Sequence, residues 1–137
     1  MNFTKTTSYS LNVLSYMAQN DSVRMSAGYL HNELHIPYSY LRAVLGDLSK
    51  NRLVNGTKGR NGGFRLSRDR SQIFLAEIIE ATEGLESFNT CIMGFKKCPF
   101  NYGCFMHPVW IKIRSEILDL LRKTSLDDLL TGEKSAQ

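Results

Sequence analysis

No stretch of this 137-residue chain approaches the roughly 18 consecutive apolar residues that a membrane-crossing helix needs. Behind the first lysine, in Met1-Asn2-Phe3-Thr4-Lys5-Thr6, there is no apolar block. No secretory leader is therefore expected, and the expected compartment is cytoplasmic. Internal repeats and low-complexity tracts are absent. Cysteine is scarce, with three residues in all, and an odd number argues against a closed disulfide framework. Acidic residues are few in the first half. Residues 1–70 carry ten Lys and Arg against four Asp and Glu, a net of +6, whereas residues 71–137 carry seven against nine, a net of −2. A polyanionic partner is therefore expected to dock on the first half. The length fits about one domain with one modest core.

Within that basic half the hydrophobic spacing is helical. Tyr9, Val13, Tyr16 and Met17 share one face of a helix from Thr7 to Asn20. A second helix starts after Ser26, whose hydroxyl can cap it, and is expected to turn Tyr29, Leu30 and Leu34 inward. It ends before Pro37, because a proline pushes the preceding residue out of the helical region. Ser39 is the expected cap of a third helix running to about Asn51, with Leu41, Val44, Leu45 and Leu48 at i, i+3, i+4 and i+7. Two short helices joined by a tight turn, after a longer leading helix, make a helix-turn-helix.

Arg52-Leu53-Val54-Asn55 and Phe64-Arg65-Leu66-Ser67 are strand-like, and Gly56 to Gly63 between them is rich in hairpin-turn residues. A basic, glycine-rich hairpin directly after a helix-turn-helix reads as a wing. Ile73, Leu75, Ile78 and Ile79 then suggest a brief strand turning into a helix that stops at Glu83-Gly84. Residues 86–107 show neither period and are expected to form a loop. Pro108 suits the first position of a long helix whose Trp110, Ile113, Ile117, Leu120 and Leu121 form an apolar stripe, for which a second copy of the helix is a natural cover. Ser125 can cap a last short helix. The expected organisation is a winged helix-turn-helix over 1–85, a cysteine loop over 86–107, a dimerisation helix and short terminal helix over 108–130, and a disordered tail over 131–137. The fold class is mainly α with a small β wing.

All three cysteines fall in the loop, as Cys91-x6-Cys98-x5-Cys104-x2-His107. Thiolates so close together are soft ligands for zinc or for iron–sulfur centres. Zinc sites in loops more often use tight Cys-x2-Cys knuckles, which are missing here, and a bare thiol redox switch is a third possibility. Phe95, Pro99, Phe100, Tyr102 and Phe105 are placed to shield a bound centre. A cysteine hydrolase built on Cys104 and His107 fits poorly, since no orienting carboxylate or oxyanion motif is nearby. The chain is therefore not read as an enzyme, and a winged helix that binds protein instead of DNA is the remaining alternative.

Several pieces in this order resemble the IscR/NsrR superfamily of bacterial winged-helix regulators (the Rrf-two family), from about Phe3 to Leu130. The most specific is the wing, Lys58-Gly59-Arg60-Asn61-Gly62-Gly63-Phe64-Arg65-Leu66. Tyr9-x-Leu11, Tyr40-Leu41, Glu80-Ala81-Thr82-Glu83-Gly84, the cysteine block and the long helix complete the resemblance.

The resemblance implies a homodimer that reads a near-palindromic operator in double-stranded DNA, with the third helix of each subunit in a major groove. Ser39, Tyr40, Arg42 and Ala43 are then the candidates for base contact, and the fork of Arg42 can pair bidentately with a guanine edge. Some members carry an acidic residue where Arg42 stands. Lys58, Gly59, Arg60 and Asn61 of the wing fall at the minor groove, and Lys50 and Arg52 at phosphates. The resemblance also implies an iron–sulfur centre on Cys91, Cys98 and Cys104 that senses redox, nitric oxide or iron–sulfur status, 2Fe–2S being favoured over 4Fe–4S. Such a centre is oxygen-labile. His107 stands where some members complete a 2Fe–2S site. Others take an acidic ligand from the partner subunit, and the matching residue here is Ser8. The gap Ile92 to Lys97 is also six residues, where better-known members have four or five.

Overall fold

The computed structural model describes residues 3–132. Short polar side chains start three of its helices. Thr4 Oγ1 accepts from the Thr7 N–H (3.2 Å) at the head of α1, Lys5–Gln19, and Ser26 Oγ from the Tyr29 N–H (3.1 Å) at the head of α2, Ala27–Leu34. Ser125 caps α6, Leu126–Thr131, reciprocally: its hydroxyl accepts from the Asp128 N–H, and its own N–H donates to the Asp128 carboxylate at 2.9 Å.

The third helix, α3, departs from this pattern. It runs Tyr38–Lys50, beginning ahead of the expected cap Ser39, with Pro37 as the uncapped residue before it. The fixed φ of proline prepares the turn, and its missing N–H leaves nothing to satisfy there. The helix ends through Arg52, whose positive φ of 60° reverses the chain, while the Leu53 N–H bonds back to Leu48 O (2.9 Å). Left-handed backbone at a helix end usually falls to glycine. Here arginine occupies it, and the Arg52 carbonyl is held by the Ser67 hydroxyl at 2.6 Å.

The chain then enters an antiparallel hairpin of β1, Val54–Thr57, and β2, Gly63–Leu66, with Val54 opposite Leu66 and Gly56 opposite Phe64. The turn is shorter than expected, and two glycines at its far end explain the local sequence. A side chain at Gly62 would collide with Thr57 O. Gly63 has φ +134°, and a Cβ there would lie 2.8 Å from the Met25 carbonyl carbon. The next residue, Phe64, exchanges both backbone hydrogen bonds with Met25 (2.9 and 2.8 Å) and so fastens the wing to the segment ahead of α2.

A 3₁₀ turn, Arg70–Gln72, is capped by Asp69, and hydrogen bonds from the Ser71 hydroxyl and N–H hold the Asp69 carboxyl below the usual carboxylate range. Helix α4, Leu75–Thr82, follows, then a second 3₁₀ turn, Leu85–Asn89, inside the region expected to be loop. The long helix α5 is Met106–Lys123. Pro108 is thus its third residue rather than its first, still within the turn whose N–H groups lack helical partners.

Val13, Leu14 and Met17 of α1, Leu30 of α2, and Leu41, Val44, Leu45 and Leu48 of α3 form one core with Ile36, Leu53, Val54, Ile73 and Ile78. Tyr29, expected inward, is instead 46% exposed, with its hydroxyl 3.1 Å from that of Tyr16. α1 lies centrally, against α3, α4 and α6. α6 joins this body: Leu126 is fully buried in it, the Leu75 N–H bonds Thr124 O and the Leu126 N–H bonds Ile73 O (both 2.9 Å), and Arg70 pairs with Asp127 (2.7 Å). No described helix is long and apolar enough to cross a membrane. Of the tail expected to be disordered, Thr131 ends α6, and residues 133–137 lie outside the described residues.

Candidate DNA-binding face and thiol site

Because the core takes Leu41, Val44, Leu45 and Leu48, the opposite face of α3 is left to solvent: Ser39, Arg42, Ala43 and Lys50 are all exposed. Tyr40 is placed differently. Its ring meets Tyr9 edge-on at 5.0 Å and its hydroxyl is 2.8 Å from that of Thr6, so it ties α3 to the first turn of α1. Tyr38, which the spacing argument overlooked, is 46% exposed and stands one turn before Arg42. An Arg42 Nη1 reaches its hydroxyl at 3.5 Å. The i, i+4 spacing of the two was the signal available for it. Lys58, Gly59, Arg60 and Asn61 are exposed at the hairpin tip, and Arg52 is exposed at its root. Arg65, expected among the wing's positive charges, lines a cavity of about 530 Å³ beside the wing together with Arg24, Arg68, Asp21 and Asp69.

The cysteine loop is built from tight turns. Gly94 N–H bonds Cys91 O at 2.9 Å, and Asn101 and Tyr102 both have positive φ, 50° and 63°. These turns aim backbone donors at sulfur: Met93 N–H lies 3.4 Å from Cys91 Sγ, and Tyr102 N–H lies 3.1 Å from Cys98 Sγ. Hydrogen bonds to sulfur are among the levers that tune sulfur-ligated centres. Trp110 of α5 is buried and donates its indole N–H to Thr90 O at 2.8 Å, which pins the residue next to Cys91 against the helix.

Cys91, Cys98, Cys104 and His107 all line one cavity of about 430 Å³. The three thiols are half-buried and unpaired, and His107 sits in the first turn of α5, its ring 5.3 Å from that of Tyr102. Among the described residues no group of three or more His, Cys, Asp and Glu side chains is drawn together tightly enough to hold a metal ion. The donor set, three sulfurs and one imidazole facing one space, fits a thiolate-held metal centre in its chemistry. The expected aromatic shield is only partial. Phe95 and Tyr102 line the cavity and Phe100 stacks edge-on against Phe95, but Phe105 is 84% exposed and does not line the cavity. On α5, Trp110 is covered, while Ile113 and Leu120 are 43% and 58% exposed, so much of the apolar stripe is left uncovered by the described residues.

The model of the family described as "Rrf2: Iron-dependent Transcriptional regulator" matches residues 3–132. The HTH-type transcriptional regulator NsrR of Halalkalibacterium halodurans is 32% identical over 146 residues, covering all of this chain and 95% of the relative. Among solved structures, the global cysteine regulator CymR of B. subtilis superposes with a TM-score of 0.78 at 21% identity, over 98% of this chain and 99% of that one. The IscR of T. potens does so at 0.75 and 22%, over 100% and 93%. The helix-turn-helix, the wing and the long trailing helix are thus the winged-helix architecture of these neighbours. The chain belongs to the Rrf2 family and is a DNA-binding transcriptional regulator.

Proposed function

We propose that the protein acts in the cytoplasm as a homodimer on a near-palindromic operator, with α3 in the major groove, the wing at the minor groove, and an iron–sulfur centre on Cys91, Cys98 and Cys104 setting its affinity. The observation that carries the DNA reading is the exposed basic tip Lys58 to Asn61, on a hairpin whose Phe64 is fastened to Met25, together with the exposed face of α3. Two-fold symmetry would set the half-sites about one helical turn, roughly 34 Å, or a multiple of it apart. Ser39, Arg42 and Ala43 face the bases, and Tyr40 keeps the helix seated on α1. Lys50 and Arg52 meet phosphates. Arg52 supports this role because it holds a left-handed position that costs a non-glycine residue about 1 kcal/mol while its side chain reaches solvent.

For the centre, His107 is the favoured fourth ligand and 2Fe–2S the favoured type. Bound there, it would supply a one-electron couple and iron open to oxygen or nitric oxide. The chain's own residues do the rest. The Met93 and Tyr102 N–H groups donate to the Cys91 and Cys98 sulfurs, and Trp110 holds the start of the loop on α5. A physical route to the DNA face also exists. Phe88, buried just before the loop, meets Phe3 edge-on, Thr7 bonds Thr82 and Glu83 at the end of α4, and Thr6 bonds Tyr40 of α3. A loop that reorders can thereby bias α3.

Operator selection from a random duplex pool tests the DNA reading. Arg42→Ala should cost about 1–3 kcal/mol and relax preference at one base pair, whereas Lys58→Ala should weaken all sequences alike and reduce the salt slope by about one. An unchanged ratio of operator to random-DNA affinity in Arg42→Ala would refute base reading by that residue. Anaerobic purification with iron and sulfide quantification tests the centre. The expected outcome is visible absorption, stoichiometric iron and sulfide, and different operator affinities with and without the centre. Colourless protein containing zinc, or carrying only oxidisable thiols, would replace this reading.

A further inference from the structure

Arg114 stands two turns beyond His107 and one beyond Trp110, on the face of α5 that walls the cysteine cavity, and all three residues line that cavity. Its side chain is half-buried, yet among the described residues it joins no ion pair. The other cations of α5 differ: Lys112 and Lys123 are exposed and do not line the cavity, and Arg122 lies 3.8 Å from Asp119. A guanidinium that lines a cavity without an ion partner is stabilised when negative charge gathers in the space it faces. Three thiols face that space. When three thiols bind one divalent ion they release three protons to solvent, so the site ends one charge more negative than it began. A fixed cation at its wall favours the loaded state over the empty one.

We infer that Arg114 is the counter-charge of the thiolate site, a positioning residue that stabilises the metal-loaded form without ligating the metal. The inference rests on the proposed use of Cys91, Cys98 and Cys104 as ligands, and adds to it a group on α5 that acts through charge. Lys96, exposed on the loop and lining the same cavity, adds to the positive wall.

The test is an anaerobic titration of the reduced full-length protein with Co²⁺ alone, following the sulfur-to-cobalt charge-transfer absorption. Arg114→Leu should weaken Co²⁺ binding about tenfold or more, the scale on which outer-shell partners of metal sites act. Arg114→Lys should recover most of that loss, because it keeps the charge, and Lys112→Leu should bind like the unaltered protein. Equal melting temperatures across the set would show that the loss is not unfolding. Unchanged Co²⁺ affinity in Arg114→Leu would overturn the counter-charge role and leave the metal centre standing. So would a loss that Arg114→Lys does not relieve, since that marks packing rather than charge. Unaltered protein that gives no charge-transfer band would overturn the metal-centre reading itself, and this inference with it.

Discussion

Ile113→Glu is expected to turn the proposed dimer into a monomer and to lower operator affinity by a factor of about 10²–10⁴, the gain that linking two half-site contacts ordinarily brings. Ile113 is 43% exposed in the single chain, so the substitution itself should cost the folded subunit little, within about 0.5 kcal/mol. In a dimer joined through α5 the same carboxylate would be carried into an apolar contact, where a charge without a partner is strongly unfavourable. Leu120, one heptad further and 58% exposed, should behave alike as Leu120→Glu. Analytical ultracentrifugation beside an operator-binding assay decides the matter. A variant that stays dimeric and binds undiminished would move the subunit contact to another face.

The second large effect is expected in the wing. Gly63→Ala should destabilise the protein by on the order of 3 kcal/mol, through a disfavoured φ and a backbone collision together. The collision is with the Met25 backbone, 2.8 Å from the added Cβ, and Met25 is what Phe64 bonds on both sides. The wing can relieve the overlap only by giving up those two hydrogen bonds. Gly59→Ala is the control. Its φ is also positive, +98°, but an added Cβ meets nothing within 4 Å, so only the conformational cost of about 1 kcal/mol remains. Urea unfolding measures both. Equal losses would mean that the Met25 contact is not what demands glycine at 63.

Much of the fold was readable from local pattern. The four leucine and valine positions of α3, the caps Ser26 and Ser125, and the hairpin after the helix-turn-helix each follow from spacing within a few residues. What could not be read depended on contacts distant along the chain. Tyr40 looked like one more residue on the reading helix because its partners, Thr6 and Tyr9, lie more than thirty positions away. The two wing glycines were legible as turn formers. That Gly63 is required by Met25 was not, since nothing in the hairpin's own sequence mentions that segment. At the site, the order of cysteines suggested thiolate chemistry. The half-buried Arg114 and the Trp110 bond to Thr90 O needed the helix to be laid beside the loop. Phe105 misled for the complementary reason: hydrophobic character says that a side chain gains from cover, not which way the backbone turns it.

The left-handed arginine that ends α3 separates two kinds of selection. A library ranked only on surviving heat would be expected to hand position 52 to glycine or asparagine, which accept that backbone at less cost. A lineage that keeps arginine there records a demand other than folding, and comparing the two rankings would show how much thermal tolerance the regulator gives up at one residue to keep a positive charge beside its wing.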